Sequence, residues 1–496
     1  MEVHIVKSEA RSGAVPSRSW RRLTTLGLAI GLLCGSLLVP VAAQADDVSP
    51  PLIEQGHRLA IAADCQACHT DVLHGGKPFA GGYSIHSPLG VIYATNITPS
   101  RTAGIGDYSE AEFARALRQG VRRDGAHLYP AMPYTSYTQL TDSDIHALYA
   151  YFMHGVQPVD VQAHQTHLPF PFSIRASMAV WNALYLRDRR FRPDPSRTAE
   201  VNRGAYLAGA LEHCDACHTP RNVMMAESSG RPLAGGMVGE WFAPNISSDP
   251  VSGIGGWSDE QLFSYLKTGR APGVAQAAGG MAEAVEHSLQ YLPDDDIRAL
   301  IAYLRTTAPQ RDSAESKPAF AYGKAESDEP SLRGLSGHHD REALSGGAQL
   351  YSGFCASCHQ PDGSGSANQA YPSLFHNTAT GLPNPSDLVA AILNGVDRTV
   401  DGQQVLMPRF DRQSYVAQLS DEQIADIANY VLQHYGNGSQ RVTPGDVFEA
   451  RGGGKLPLIA RLQPDIVPAM LGGVVLVVVL LILWLVWRRR HRRYQG

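Results

Sequence analysis

Two cysteines separated by two residues and followed at once by a histidine form a motif that occurs three times in this 496-residue sequence. Two thiols at this spacing can form thioethers to the two vinyl groups of one porphyrin, and the adjacent histidine then ligates the iron. One copy alone could also be a redox dithiol or half of a zinc site. Three copies predict covalent attachment of three haem c groups, at Cys65-Gln66-Ala67-Cys68-His69, Cys214-Asp215-Ala216-Cys217-His218 and Cys355-Ala356-Ser357-Cys358-His359.

A second axial ligand is needed if the haem iron is to transfer electrons without binding a substrate, and methionine is a common choice. Met132 and Met281 each lie 63 residues after the histidine of their motif, and Met407 lies 48 residues after His359. Met224, Met225 and Met237 compete with Met281, but they do not keep its offset of 149 residues from Met132. We therefore predict two sets of iron ligands, His69, His218 and His359 on one side and Met132, Met281 and Met407 on the other. Three further histidines remain as alternatives: His127, His287 and His376.

The first two motifs belong to duplicated units, and a third, shorter unit follows them. A constant offset of 149 residues relates His69 to His218, and it also relates the pairs Asn96 and Asn245, Gly104 and Gly253, and Gly120 and Gly269. A period of this length indicates duplicated domains rather than a solenoid.

Helices are expected at corresponding places in each unit. Ser109 and Ser258 each begin a capping box, and the helices that follow are expected to end at Gly120 and Gly269. A closing amphipathic helix with acidic residues in its first turn follows Leu140, Leu292 and Leu419. The helix before each motif contains a glycine, which predicts a close crossing with the closing helix at Gly56, Gly204 and Gly347.

This pattern resembles class I cytochrome c over residues 52–155, 199–307 and 343–436. The resemblance implies that the second nitrogen of each motif histidine donates to a backbone carbonyl, provided by a proline two residues after the histidine. Pro220 and Pro361 fit this role, whereas Asp71 stands at that place in the first unit.

The two ends of the chain predict a protein anchored in the cell inner membrane. Residues 1–45 contain basic residues, an apolar stretch and Ala43-Gln44-Ala45, which is typical of a cleaved signal peptide that includes Cys34. Residues 466–487 carry no charge and precede a run of arginines, which predicts a transmembrane helix with a cytoplasmic C-terminus. The haem domains would then lie on the periplasmic side.

The composition bears on disulfide bonding and on the class of partner. Seven cysteines include six in the motifs, so no pair remains for a structural disulfide. The net charge of −5 contains +3 from residues 1–45 and +5 from residues 488–496, which leaves an acidic body near −13 and argues against nucleic acid as a partner. We expect a signal peptide at 1–45, cytochrome c domains at 46–155, 199–308 and 343–436, linkers at 156–198 and 309–342, a tether at 437–463, a transmembrane helix at 464–487 and a basic tail at 488–496.

The expected fold is thus mainly α, with three class I cytochrome c-like domains in tandem and a C-terminal transmembrane helix. Residues 174–186 are expected to form an apolar helix packed between domains, and the polar residues 309–342 a loosely packed connector.

The order of signal peptide, two similar haem units, a shorter third unit and a membrane anchor resembles the triple-haem cytochrome c subunit of bacterial membrane-bound dehydrogenases for alcohols, aldehydes, gluconate or sorbitol. The resemblance implies a separate catalytic subunit that oxidises the substrate, with ubiquinone as the electron acceptor, and it allows a small third subunit. No nucleophile–base pair, phosphate-binding loop or paired carboxylates in this sequence indicate substrate chemistry. Two alternatives remain open, namely a haem subunit of a terminal oxidase and an independent multihaem enzyme such as a peroxidase.

Overall fold

A computed structural model describes residues 49–87, 89–332, 344–462, 464, 468, 472–473 and 476–484. The described chain is mainly helical, and its strands form four two-stranded antiparallel sheets. This confirms the predicted helical class. The predicted signal peptide with Cys34 and the basic tail at 488–496 lie outside the described residues.

The first unit, residues 46–155, has its helices where the sequence predicts them. Ser109 and Glu112 form the capping box of α3, which ends at Gly120 with a left-handed φ of 63°. Its elements are α1 (Pro50–Ala62), α2 (Cys65–His69), β1 (Ser84–Ser87), β2 (Gly90–Tyr93), α3 (Glu110–Gln119), α4 (Tyr134–Tyr137) and α5 (Asp142–Ala150), which continues as a π-helical turn over Tyr151–Gly155. A further helix, α6 (Ser177–Tyr185), follows between the units.

The second unit, residues 199–308, repeats this order. Ser258 and Gln261 form the capping box of α9, and Gly269 ends it with a φ of 69°. Its elements are α7 (Ala199–Tyr206) with a π-helical turn over Leu207–Leu211, α8 (Asp215–His218), β3 (Gly236–Val238), β4 (Trp241–Ala243), α9 (Asp259–Thr268), β5 (Arg270–Ala271), β6 (Ala275–Gln276), α10 (Gly279–His287) and α11 (Asp294–Arg305). Helix α12 (Glu329–Leu332) precedes the third unit.

The third unit, residues 343–436, keeps the helices around its motif and adds a longer hairpin. Ser420 and Gln423 form the capping box that starts its closing helix. Its elements are α13 (Gly347–Phe354), α14 (Ala356–His359), α15 (Thr378–Gly381), α16 (Ser386–Asn394), β7 (Val396–Val400), β8 (Gln403–Met407) and α17 (Asp421–Tyr435). Two short helices follow it, α18 (Pro444–Arg451) and α19 (Leu458–Arg461).

One helix crossing recurs in all three units, and it confirms the role predicted for the glycines. A Cβ added at Gly56 would overlap the backbone carbonyl of Ala147, and a Cβ added at Gly204 would overlap that of Ala299. The helix before each motif therefore touches the backbone of the closing helix, because only hydrogen occupies the space at the crossing. In the third unit the same contact joins Gly347 to Asp426.

The first two units share one hydrophobic core, which extends from Leu59 in α1 to Leu304 in α11. Hydrogen bonds also join them, since Gln139 donates to the carbonyl of Gly209 at 2.9 Å. Helix α6 packs where the sequence predicts an interdomain helix, because its buried Trp181 meets the Tyr134 ring and donates to the carbonyl of Met224.

The third unit has a separate core, and the β7–β8 hairpin joins it to the second unit. Helix α10 packs on β7. Val400 at the end of β7 belongs to the core of the first two units. The hairpin therefore crosses from one core to the other.

The connector at residues 309–342 is not loosely packed in its described part, so that expectation is wrong there. Arg311 pairs with the Asp249 carboxylate at 2.8 Å. Gly323, with a φ of 80°, lies against the carbonyl of Tyr435 in the third unit. The polar composition suggested solvation, but these polar groups are used in contacts with the two units that the connector joins.

The segment after the third unit also packs on it over its first part. Val447 in α18 is fully buried in the third core, and Arg451 pairs with Asp421 at 2.6 Å. The predicted transmembrane helix at 464–487 is described only in part, and residues 476–484 of it are helical with exposed apolar side chains. Among the described residues, no helix has both the length and the apolar character that crossing a bilayer requires.

Candidate cofactor sites

Each Cys-x-x-Cys-His motif lies on a short helix that follows directly after the glycine-bearing helix of its unit. In the first unit the turn between α1 and α2 places Asp64 in a left-handed conformation, with a φ of 49°. Tyr137 supports this turn by donating from its hydroxyl to the carbonyl of Ala63 at 2.7 Å. Cys65, directly after this turn, packs against the hydrophobic core of the unit.

The three motif histidines make the same hydrogen bond. Nδ1 of His69 lies 2.7 Å from the carbonyl oxygen of Thr95, and Nδ1 of His218 lies 2.6 Å from that of Pro244. In the third unit Nδ1 of His359 lies 2.9 Å from the carbonyl oxygen of Pro372. A carbonyl oxygen only accepts, so Nδ1 carries the proton in each ring and the lone pair of Nε2 is available to a metal.

The identity of these acceptors corrects the prediction that Pro220 and Pro361 supply them. Thr95 and Pro244 stand at the duplicated position before Asn96 and Asn245, so the offset of 149 residues was the signal that could have identified them. The acceptor in each unit belongs to a later segment, 26 residues after His69 and His218 and 13 residues after His359. Asp71, which departed from the proline pattern, instead accepts from His74 at 2.9 Å.

Burial keeps the three histidines in the neutral form that binds metals. It lowers the pKa of His69, His218 and His359, and the hydrogen bond to the carbonyl partly offsets this effect. A neutral imidazole with Nδ1 already donating is a preorganised iron ligand.

Burial of the first cysteine of a motif argues against a reactive dithiol in the first and third units. Burial raises the pKa of the Cys65 and Cys355 thiols to about 12. A redox-active pair would need a lowered pKa, and a zinc site would need thiolates. Within the described chain, no cluster of three or more His, Cys, Asp or Glu side chains could hold a metal ion. These observations disfavour both alternatives to haem.

The three methionines occupy different local structures beside the same cores as the motifs. Met132 lies in an irregular turn before α4, and its carbonyl accepts from the Tyr134 amide at 2.8 Å. Met281 lies in the first turn of α10. Met407 is the last residue of β8. Met132 and Met281 pack against the core that Cys65 and Cys214 also contact, and Met407 packs against that of Cys355. The donor set of two thiols, one histidine and one thioether in each unit fits a haem c group.

The first two sites are close neighbours. Helix α10, which carries Met281, packs against α2 of the first unit. Tyr83 donates from its hydroxyl to Glu283 of α10 at 3.2 Å. The Tyr137 ring also contacts His213, the residue before Cys214, with 5.7 Å between ring centroids. Each of the first two units thus contributes residues that pack beside the motif of the other.

Comparisons with known proteins agree with this geometry. A protein family described as cytochrome c matches residues 53–155 and 344–434, and the second unit lies outside both ranges. The fructose dehydrogenase cytochrome subunit of Gluconobacter japonicus is 50% identical over 454 residues, which cover 89% of this chain and 92% of that protein. The gluconate 2-dehydrogenase cytochrome c subunit of Pantoea cypripedii is 38% identical and covers 85% of this chain and 94% of its own length. The cytochrome c subunit of a quinone alcohol dehydrogenase of Gluconacetobacter polyoxogenes is also 38% identical, with coverages of 87% and 90%.

Proposed function

Because the chain belongs to the family of multihaem cytochrome c subunits of membrane dehydrogenase complexes, we propose that it carries electrons through three c-type haems from a dehydrogenase catalytic subunit to ubiquinone. The family membership itself supports covalent haem, electron transfer and a catalytic partner subunit. The number of haems, the quinone, the anchor and a small third subunit are parts of the proposal.

The observation that carries the proposal is the repetition of one geometry in the second unit. His218 and Pro244 repeat the hydrogen bond of His69 and Thr95, and Gly204 repeats the crossing of Gly56. A unit that had lost its haem would have no physical reason to keep a neutral, oriented histidine behind two thiols. We therefore assign one haem to each motif.

The side chains of each unit would hold the group and close both axial positions. When bound, haem c supplies one-electron chemistry. In the first unit Cys65 and Cys68 would anchor it, and His69 and Met132 would ligate the iron. If the protein supplies both iron ligands, as we propose, the site would favour electron transfer over substrate binding, unlike the site of a peroxidase.

The location that we propose rests on the sequence prediction for the two ends of the chain. Attachment of haem to the motif takes place in the periplasm, and we propose that residues 464–487 anchor the chain in the inner membrane with residues 488–496 in the cytoplasm. The exposed apolar side chains of the helical residues 476–484 support this anchor. We further propose that the third unit, which adjoins the anchor, is nearest to the quinone.

Affinity purification of the tagged full-length chain from its native membranes tests the proposed function. We expect a large dehydrogenase subunit to co-purify, and we expect one of the substrates named in the relatives, fructose, gluconate or an alcohol, to reduce the haems. Added ubiquinone should then reoxidise them. Co-purification with a copper–haem oxidase would instead indicate the oxidase subunit, and turnover of hydrogen peroxide by the isolated chain would indicate an independent enzyme.

A further inference from the structure

Arg398 in β7 of the third unit is fully buried, although its guanidinium is charged. Its Nη1 donates to the carbonyl of Ala277 at 2.5 Å, and its Nη2 donates to Oε1 of Gln276 at 3.3 Å. Its Nε has no hydrogen-bond partner among the described residues, and no carboxylate there forms an ion pair with it. Burial of a cation without a carboxylate partner costs desolvation free energy, so other contacts must keep Arg398 in this position.

The duplicated units show what Arg398 replaces. In the first unit the amide of Leu128 donates to the carbonyl of Gly120 at 2.7 Å, and the buried Tyr134 ring covers Gly120, 2.6 Å from where a Cβ would stand. In the second unit the amide of Ala277 donates to the carbonyl of Gly269 at 2.8 Å.

The guanidinium carbon of Arg398 lies 2.6 Å from the corresponding Cβ position at Gly269. The residue 149 positions after Tyr134 is Glu283, whose side chain instead accepts from Tyr83. The second unit therefore has no tyrosine of its own for this place, and the third unit fills it with an arginine.

The contacts of Arg398 bear directly on the segment that leads to Met281. Ala277 and Gln276 come immediately before α10, and Met281 is in the first turn of that helix. Helix α10 itself packs on β7, and Gln290 donates to the carbonyl of Thr399 at 3.1 Å. The β7–β8 hairpin thus supports the start of α10 from a different unit.

We propose that Arg398 is a positioning residue for the second haem site, contributed by the third unit, which holds the Met281 segment and raises the reduction potential of the haem bound at Cys214 and Cys217. This inference rests on the proposed function, because it requires a haem at the second motif with Met281 as its ligand.

The expected effect on the reduction potential follows from the charge and the burial of Arg398. A cation held in a medium of low dielectric stabilises the reduced iron, which carries one positive charge less than the oxidised iron. The charged groups that act on it are Arg270 and Glu286, while the Tyr265 hydroxyl has a pKa raised by burial and stays neutral. The first site has the neutral Tyr134 in the same place, so Arg398 adds a positive charge at a position that is neutral in the first unit.

Redox titration of the full-length holoprotein with Arg398→Gln tests this inference. The glutamine keeps a donor for the Ala277 carbonyl and removes the charge. We expect all three haems to remain attached and the reduction potential of one of them to fall. At a fixed solution potential, the ratio of its reduced to its oxidised form should fall at least tenfold, which corresponds to a shift of about 59 mV. Arg398→Lys should keep most of the native potential because it keeps the charge. The matched control is Arg412→Gln, which removes an exposed arginine of the same unit.

The possible results separate this inference from the proposed function. Three haems with unchanged potentials in Arg398→Gln would overturn the role of Arg398 alone, and so would an equal shift in Arg412→Gln. Two haems in the native chain would overturn the proposed function and this inference together. If Arg398→Gln fails to load haem, Arg398→Met provides the second neutral variant. Loss of haem from the second site alone would then support a positioning role for Arg398. Equal loss of haem from all three sites would contradict that role.

Discussion

Nδ1 of His218 donates to the carbonyl oxygen of Pro244 at 2.6 Å, and the same bond joins His69 to Thr95 149 residues earlier. The second unit lies outside the residues that the cytochrome c family matches, yet it keeps the orientation of a metal-binding histidine. This bond fixes the tautomer and leaves the lone pair of Nε2 available to a metal. The second unit is therefore expected to bind haem as the first does.

Replacement of Met281 should change only the second site. We expect Met281→Ala to lower the potential of one haem and to make its reduced form bind carbon monoxide, because an axial position opens. Met224→Ala is the control, since Met224 is an exposed methionine of the same unit. Carbon monoxide difference spectra and redox titration check this. Identical results for the two variants would remove Met281 as the ligand.

Gly204→Ala should destabilise the chain even though alanine is the better helix former by about 1 kcal/mol. A methyl group there would overlap the carbonyl of Ala299, so α7 and α11 would have to separate. We expect a net loss of at least about 2 kcal/mol in the free energy of unfolding, measured with urea. Gly230→Ala, where no atom lies within 4 Å of the added Cβ, should leave it unchanged. Equal stability of the two variants would contradict the crossing.

Glu212 should make the stability fall as the pH rises. Burial raises the pKa of Glu212 from 4.5 to about 8, and a hydrogen bond from Ser288 opposes this rise. The folded state therefore keeps a proton that the unfolded state loses above about pH 4.5. The stabilisation of the folded state by this proton is complete below that pH and disappears as the pH approaches 8. The free energy of unfolding should fall over this range by at most about 1.4 kcal/mol per pH unit.

Glu212→Gln tests this pH dependence, because glutamine can still accept from Ser288 but cannot ionise. We expect similar free energies of unfolding for the two proteins at pH 4.5 and a more stable Glu212→Gln variant at pH 9, measured by urea denaturation. A difference that stays the same between these two pH values would show that Glu212 does not titrate with folding.

Deletion of residues 464–496 should release the protein from the membrane while its haem content stays unchanged. The predicted anchor lies beyond the third unit, whose core closes with α17 and α18. Fractionation of cells that express the truncated and the full-length chains measures this. Retention of the truncated chain in the membrane fraction would indicate that the dehydrogenase or another segment provides the attachment.

The sequence predicted the parts of the fold that depend on local periodicity. Gly204 within an apolar-periodic helix and the capping box at Ser258 were both confirmed, because such signals arise within one element. It did not predict the acceptor Pro244, since that contact joins a helix to a loop distant in the chain. Nor did it predict Arg398, because a contact between units leaves no periodic pattern.

The offset between the duplicated units carried more information than the composition of single segments. It is the basis for predicting Met281 and not Met224 as the ligand, and it could have identified Thr95 and Pro244 as the acceptors. By contrast, the polar composition of residues 309–342 suggested a loose connector, although Arg311 there is paired with Asp249. Composition does not reveal whether a polar side chain meets water or a partner.

The mass of the intact mature chain is the most direct test of whether each of the three motifs carries a haem. Each covalently attached haem adds a fixed mass, so denatured protein reports the number of occupied motifs independently of activity. The account predicts three haems on the native chain and two after Cys214→Ala with Cys217→Ala. A native chain that carries two haems, and still carries two after that double substitution, would contradict the assignment of a haem to the second motif.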